Sequence, residues 1–237
     1  MKHVLVLGGH PIEYELTRKR VKNINIRVRA DGTVGVSAPH RVTDQEVETI
    51  LVSRGDFILG ALEKFSALAQ QGNREPAYDQ GDAVCLLGRK YPIRLQEGKK
   101  NRAELEGDEI LLQLRNPSSG ELRKKTMEDF YKAQCLAVTT ELCRGIHPHL
   151  EPLGIPFPEI KVRSMTSRWG SCKPSDKRVT FAWQLVKAPV ECVEYVVWHE
   201  LIHFLHLNHS PAFYGCLEQF VPDWKARRQR LNSGPWP

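Results

Sequence analysis

Apolar positions in the first forty residues alternate with polar ones. In NINIRVRADGTVGVSAP, Ile24, Ile26 and Val28 keep a period of two, and Val34 and Val36 resume it after a break. That period puts apolar side chains on one face of a strand. Asp31-Gly32 lies in the break and suits the positive φ of a tight hairpin turn. The pattern then changes to a helical one, with Val47, Ile50, Leu51, Ile58, Leu62 and Phe65 at helical spacing. Thr43-Asp44-Gln45-Glu46 supplies the N-cap and N3 residues of a capping box. This helix is expected to pack on the apolar face of the hairpin.

Residues 70–82 are polar, contain Gly and Pro, and read as a loop. VCLLGRKYPIRL and RAELEGDEILLQLR then predict four short strands, the last two joined at Gly107-Asp108. Residues from about Gly120 to Gly145 read as a helix. HPHLEPLGIPFP, at 147–158, holds four prolines and reads as a break. A strand near 159–166, the stretch SRWGSC and a second strand near 178–184 follow. Pro189 opens the next helix, since its missing N–H has no intrahelical role in a first turn. Glu191 and Glu194 complement the positive end of that helix. The pattern predicts an α+β chain: a β-rich region with one long helix over 1–117, then a second region over 118–237.

Composition changes this picture little. The 237 residues are 41% hydrophobic and 26% charged, ordinary for a globular chain able to bury a real core. A net charge of +6 is mildly basic. KARRQR at 225–230 reads as a solvated helix face anchored by Trp224 and Leu231, and gives nucleic acid only weak support. The six cysteines form no CxxC pair, so they are expected as buried thiols of a reducing cytoplasm. The apolar run before Gly8 is too short for a signal-peptide core, and no 18-residue apolar run predicts a membrane span.

The chemistry concentrates in WHELIHFLHLNHS, residues 198–210, which holds four histidines within eleven residues. His199-Glu200-Leu201-Ile202-His203 is an HExxH sequence. Residues i and i+4 share a helix face, so two imidazoles can converge on one zinc ion. Glu200 is rotated about 100° from His199 and can reach a metal-bound water as general base without ligating the metal. A third ligand is needed. His206 would lie about 10.5 Å along a straight helix from His199, too far to share one ion. Asn208 is expected to end the helix in a left-handed conformation, letting His209 swing back to the metal. Ser210-Pro211 then reads as N-cap and N1 of the next helix. Three histidines leave an open position for water, the catalytic rather than the structural pattern.

HELIHFLHLNHSPAFY, SRWGSC at 167–172 and YVVWHE at 195–200 together resemble the YgjP-like metal-dependent hydrolases, also described as the YgjP-like metallopeptidase domain. RVRADGTVGVSAP and LLGRKYPI fit that family's β-rich first half, so the resemblance spans nearly the whole chain. It implies a zincin-type metallopeptidase core over 118–237, related to SprT-like domains, with its third ligand at His209. The acidic third ligand of many gluzincins is absent. So is the cysteine ribbon of SprT-like proteins, which weakens any DNA-linked role.

Within SRWGSC, Gly170 permits a close backbone approach, Trp169 can wall the site, and Arg168 can stabilise developing negative charge. Tyr214 can donate to an oxyanion, although an aromatic at that spacing also suits the core. The expectation is a cytoplasmic zinc-dependent peptidase acting on a peptide or protein, with His199, His203 and His209 on Zn²⁺ and Glu200 as base. Two alternatives stay open: a nucleoside triphosphate pyrophosphohydrolase, and a zinc-stabilised binding module without turnover.

Overall fold

A computed structural model describes residues 2–29, 32–70, 77–165, 168–234 and 236, with backbone alone for 2, 10 and 63–70. The described chain forms two compact units, residues 1–75 and 76–237. Sheets dominate its N-terminal half and helices its C-terminal half.

In the first unit, β1 (Lys2–Leu7), β2 (His10–Arg18), β3 (Asn25–Val28) and β4 (Val34–Ala38) form a sheet of order β1-β2-β4-β3. β3 and β4 pair antiparallel, as the alternation predicts. Gly32 has φ +81°, while Asp31 lies outside the described residues. Two helices follow, α1 (Asp44–Ser53) and α2 (Gly55–Gln70). The capping box is formed: Thr43 Oγ1 accepts from the Glu46 N–H at 3.2 Å, and the Glu46 carboxylate accepts from the Thr43 N–H at 2.7 Å.

The single helix expected here is broken at Arg54, whose φ of −107° leaves the helical region while its N–H reaches the carbonyls of Ile50 and Leu51. Val47, Leu51 and Ile58 still fall on one stripe and pack with Tyr14, Val34 and Val36. Ile50 lands on the flank, exposed, and the side chain of Phe65 lies outside the described residues.

The second unit begins with β5 (Ala83–Leu86), β6 (Arg89–Glu97), β7 (Arg102–Glu106) and β8 (Glu109–Leu114), in the order β5-β6-β8-β7. Helix α3 (Gly120–Leu150) crosses to a three-stranded sheet of order β10-β11-β9, made of β9 (Glu159–Arg163), β10 (Gly170–Lys173) and β11 (Arg178–Ala182). Helices α4 (Val190–Ile202), α5 (Pro211–Phe220) and α6 (Trp224–Ser233) complete it. The packing boundary lies at 75/76, whereas the pattern of elements suggests 117/118. The cause is the apolar face of β5–β8. Val84, Ile93, Ile110 and Leu112 share one core with Met127 and Tyr131 of α3 and Val193 and Val197 of α4.

α3 also runs further than expected, through Pro148 to Leu150. Ile146 and Leu150 are buried, and their packing outweighs the proline. The hydrogen bond that Pro148 cannot make would have used the carbonyl of Arg144, which lies on the exposed face in the last two turns.

The turn between β5 and β6 is pinned to the chain just before α4. The Leu87 N–H donates to the Val186 carbonyl at 2.8 Å, and the Gly88 N–H to the Lys187 carbonyl at 3.2 Å. Gly88 has φ +75°, and a Cβ there would lie 2.9 Å from Pro189 Cα. Among the described residues no helix is long and apolar enough to cross a membrane.

Candidate metal centre

α4 is buried on most of its surface through Val193, Val197, Leu201 and Ile202. Burial on that scale, at about 1.5–3 kcal/mol per large apolar side chain, fixes the helix's rotation. His199 then faces a cavity of about 490 Å³ lined also by His203, His209 and Glu200. The helix ends at Ile202 with His203 as C-cap, well before Asn208. Asn208 is not among the residues with positive φ. Instead the Phe204, Leu205 and His206 N–H groups bond carbonyls of Leu201 and Ile202, a tightening last turn.

His206 is therefore off the helix, and its distance along a helix axis is not what sets it apart. Its carbonyl lies 2.9 Å from His203 Nδ1. His209 returns as expected, directly before Ser210, whose hydroxyl accepts from the Phe213 N–H at 3.3 Å and caps α5.

The three imidazoles meet. His199 Nε2 and His209 Nε2 are 2.9 Å apart, and one nitrogen from each ring fits within 4.8 Å of the others. Buried Phe213 lies beneath all three, with ring centroids 4.9, 4.7 and 4.9 Å from His199, His203 and His209. A tetrahedral ion bonded at about 2.1 Å would hold its ligand nitrogens about 3.4 Å apart. The observed spacings bracket that value. With Nδ1 of His203 donating to a carbonyl, its Nε2 keeps a lone pair, the tautomer a metal ligand requires. Burial, reinforced by the other two rings, pushes His199 down to about 3, so that it is neutral. Its buried Nδ1 has no protein partner among the described residues. Such an orphan costs roughly 1–3 kcal/mol. The donor set fits a divalent ion.

Glu200 is buried beside the histidines. Burial pushes its carboxyl up to about 8, opposed by the Arg168 charge and a hydrogen bond from the Cys172 N–H. Gly170 makes room for it: a Cβ there would lie 2.7 Å from both Cγ and Oε1 of Glu200. β10 is the edge of its sheet. The Trp169 carbonyl accepts from Ala182 N–H across the β11 side at 2.8 Å. By antiparallel alternation, the backbone groups of Gly170 and Cys172 point the other way, toward the cavity.

Of the two further residues singled out in the sequence, Arg168 lines the cavity. Tyr214 is absent from that lining. Its ring stacks on Trp224 at 4.9 Å and on His209 at 6.1 Å. Sequence reasoning missed Tyr195, Arg228 and Asn232, which also line the cavity. Tyr195 stands one turn before His199, a spacing that could have flagged it. Cys135, Cys143 and Cys192 are buried, and Cys85, Cys172 and Cys216 are half-buried; all six are free thiols.

Three histidines that could hold a metal ion, beside a buried carboxyl and an edge strand, are an arrangement suited to metal-dependent hydrolysis. The model of the YgjP-like metallopeptidase domain matches residues 22–234, and the chain belongs to this family of metal-dependent hydrolases. No curated protein matches the chain.

Proposed function

We propose that this chain is a zinc-dependent peptidase. His199, His203 and His209 hold the ion and Glu200 is the general base. The observation that carries this reading is the convergence of three imidazole nitrogens within 4.8 Å beside a buried glutamate. A bound zinc ion supplies Lewis acidity toward the scissile carbonyl and lowers the pKa of water on its open position.

The remaining work falls to the chain. Glu200 takes a proton from the attacking water and delivers it to the leaving amine. Burial raises the pKa of this carboxyl above the usual carboxylate range, which makes its ionised form a stronger base toward that proton. The Cys172 N–H orients the carboxylate, and the side-chain-free face of Gly170 lets it approach. Arg168, on the cavity wall, stabilises negative charge that develops on the carbonyl oxygen. His203 is oriented by the His206 carbonyl. Tyr214 supports His209 by stacking rather than by reaching substrate.

The outer edge of β10 favours a peptide, because an extended chain can add to it through the backbone groups that Glu200 leaves open. Elemental analysis of protein purified without added metal or a metal-affinity tag tests the ligand set. About one zinc per chain is expected, lost or much weakened in His209→Ala. Glu200→Gln should keep the zinc and lose peptide hydrolysis. Zinc-free protein even after reconstitution would end this reading.

A further inference from the structure

We propose that Arg228 recognises a carboxylate on the substrate near the bond cleaved, which makes peptides carrying a negative charge there the preferred class. This rests on the peptidase reading above and names the substrate that reading leaves open.

The argument begins with the rotation of α6. Arg227 donates to Glu194 of α4 at 2.6 Å and to Asp223 at 3.0 Å. Arg230 pairs with Glu191 of α4. Trp224 and Leu231 are buried. The anchoring of Trp224, Arg227 and Arg230 fixes which residues face the cavity. They are Arg228, Leu231 and Asn232, at i, i+3 and i+4. Within the basic run Arg227 and Arg230 are thus tied down on α4, while Arg228 faces the cavity.

Arg228 makes no hydrogen bond or ion pair with the described residues, and it is exposed. It lines the same cavity as His199, His203 and His209, where its charge repels positive charge. By the same Coulomb argument it opposes any bound cation. A free guanidinium beside a cation site therefore weakens that site unless an anion completes it. The cavity wall supplies little to do so. Its charged lining is Arg168, Arg228 and Glu200, with Glu200 buried and already bonded to the Cys172 N–H. An anionic ligand is the missing partner. The anion a peptide carries is a carboxylate, whose two oxygens match the guanidinium fork. It has two sources, the free C-terminus and an Asp or Glu side chain.

The experiment uses N-acetylated hexapeptides of alanine and glycine in three forms: free acid, C-terminal amide, and amide with one glutamate placed at each position in turn. Affinity is measured by calorimetry on full-length Glu200→Gln protein in zinc-containing buffer, and kcat/KM on the wild-type chain. At least one carboxylate form should bind about tenfold better than the uncharged amide. Adding Arg228→Gln should bring that ratio close to one, and adding Lys225→Gln should leave it at about tenfold. Preference for the free acid assigns the chain terminus; preference for one glutamate position assigns a side chain. Equal binding of all forms, or a preference that survives Arg228→Gln, overturns the proposal. Cleavage without such a preference leaves the peptidase reading standing alone. Arg228-dependent preference without any cleavage ends the peptidase reading and keeps the anion site.

Discussion

Glu200 and Gly170 show how narrowly the centre is built. The glutamate occupies the volume a β-carbon at position 170 would need. Gly170→Ala must therefore displace the carboxylate, and a shift of an ångström at a reacting group can cost about a hundredfold in rate. We expect kcat to fall by roughly that factor, with zinc content unchanged and stability lowered by about 1–3 kcal/mol from overpacking. Steady-state kinetics beside elemental analysis checks this; full activity in the variant would contradict the role given to Glu200. At this scale much of the site was legible. The HExxH spacing and the returning His209 point to three residues that do converge, and the tight approach at Gly170 was readable without its partner. Arg228 was not. Nothing in KARRQR separates the arginines that bond Glu194 and Glu191 from the one that faces the cavity, because the distinction depends on where α4 lies. Tyr214 illustrates the reverse: an aromatic near a ligand reads as reactive until its stacking partner Trp224 is known.

Elements place these residues, and their ends matter most. Ser210 caps α5 immediately after His209, so one hydroxyl both starts a helix and anchors the loop that carries His209. Ser210→Ala should cost about 1 kcal/mol in chemical denaturation and weaken zinc affinity several-fold in competition with a chelator. Arg227 ties α6 to α4 through Glu194, with its side chain 21% exposed. Arg227→Ala should cost about 1–2 kcal/mol, the value being discounted for partial exposure, and should also reduce carboxylate selectivity because Arg228 loses its bearing. The capping box at Thr43 and the cap at Ser210 could be read from sequence, since they depend on neighbours a few residues apart. The end of α4 could not. Asn208 is a good terminator, yet the chain leaves the helix at Ile202, where His203 turns to the His206 carbonyl. Pro148 misleads for a related reason: burial of Ile146 and Leu150 outweighs one missing hydrogen bond, and burial is not local.

Over the whole molecule, ligand binding and folding are linked. A ligand present at a hundred times its Kd stabilises the folded state by about 2.7 kcal/mol. Zinc should therefore raise the melting temperature of the wild type measurably and that of His209→Ala much less, as scanning calorimetry would record. The fold class was legible because strand and helix periods differ. The boundary between units was not, since alternation in β5–β8 reveals an apolar face but not what covers it. Those strands pack with α3 and α4. We expect residues 76–237 expressed alone to fold and bind zinc, and residues 118–237 to do neither; circular dichroism with metal analysis would decide.

The turn at Leu87 and Gly88 carries a historical consequence. It holds the approach to α4 from a hairpin about a hundred positions earlier in the chain. Recombination that exchanged segments between 90 and 185 among divergent relatives would part the hairpin from the helix it gauges, and the hybrids would inherit histidines without their alignment. Exchange near 75 would carry hairpin and helix together. Descent should accordingly have shuffled what precedes residue 76 more freely than anything after it.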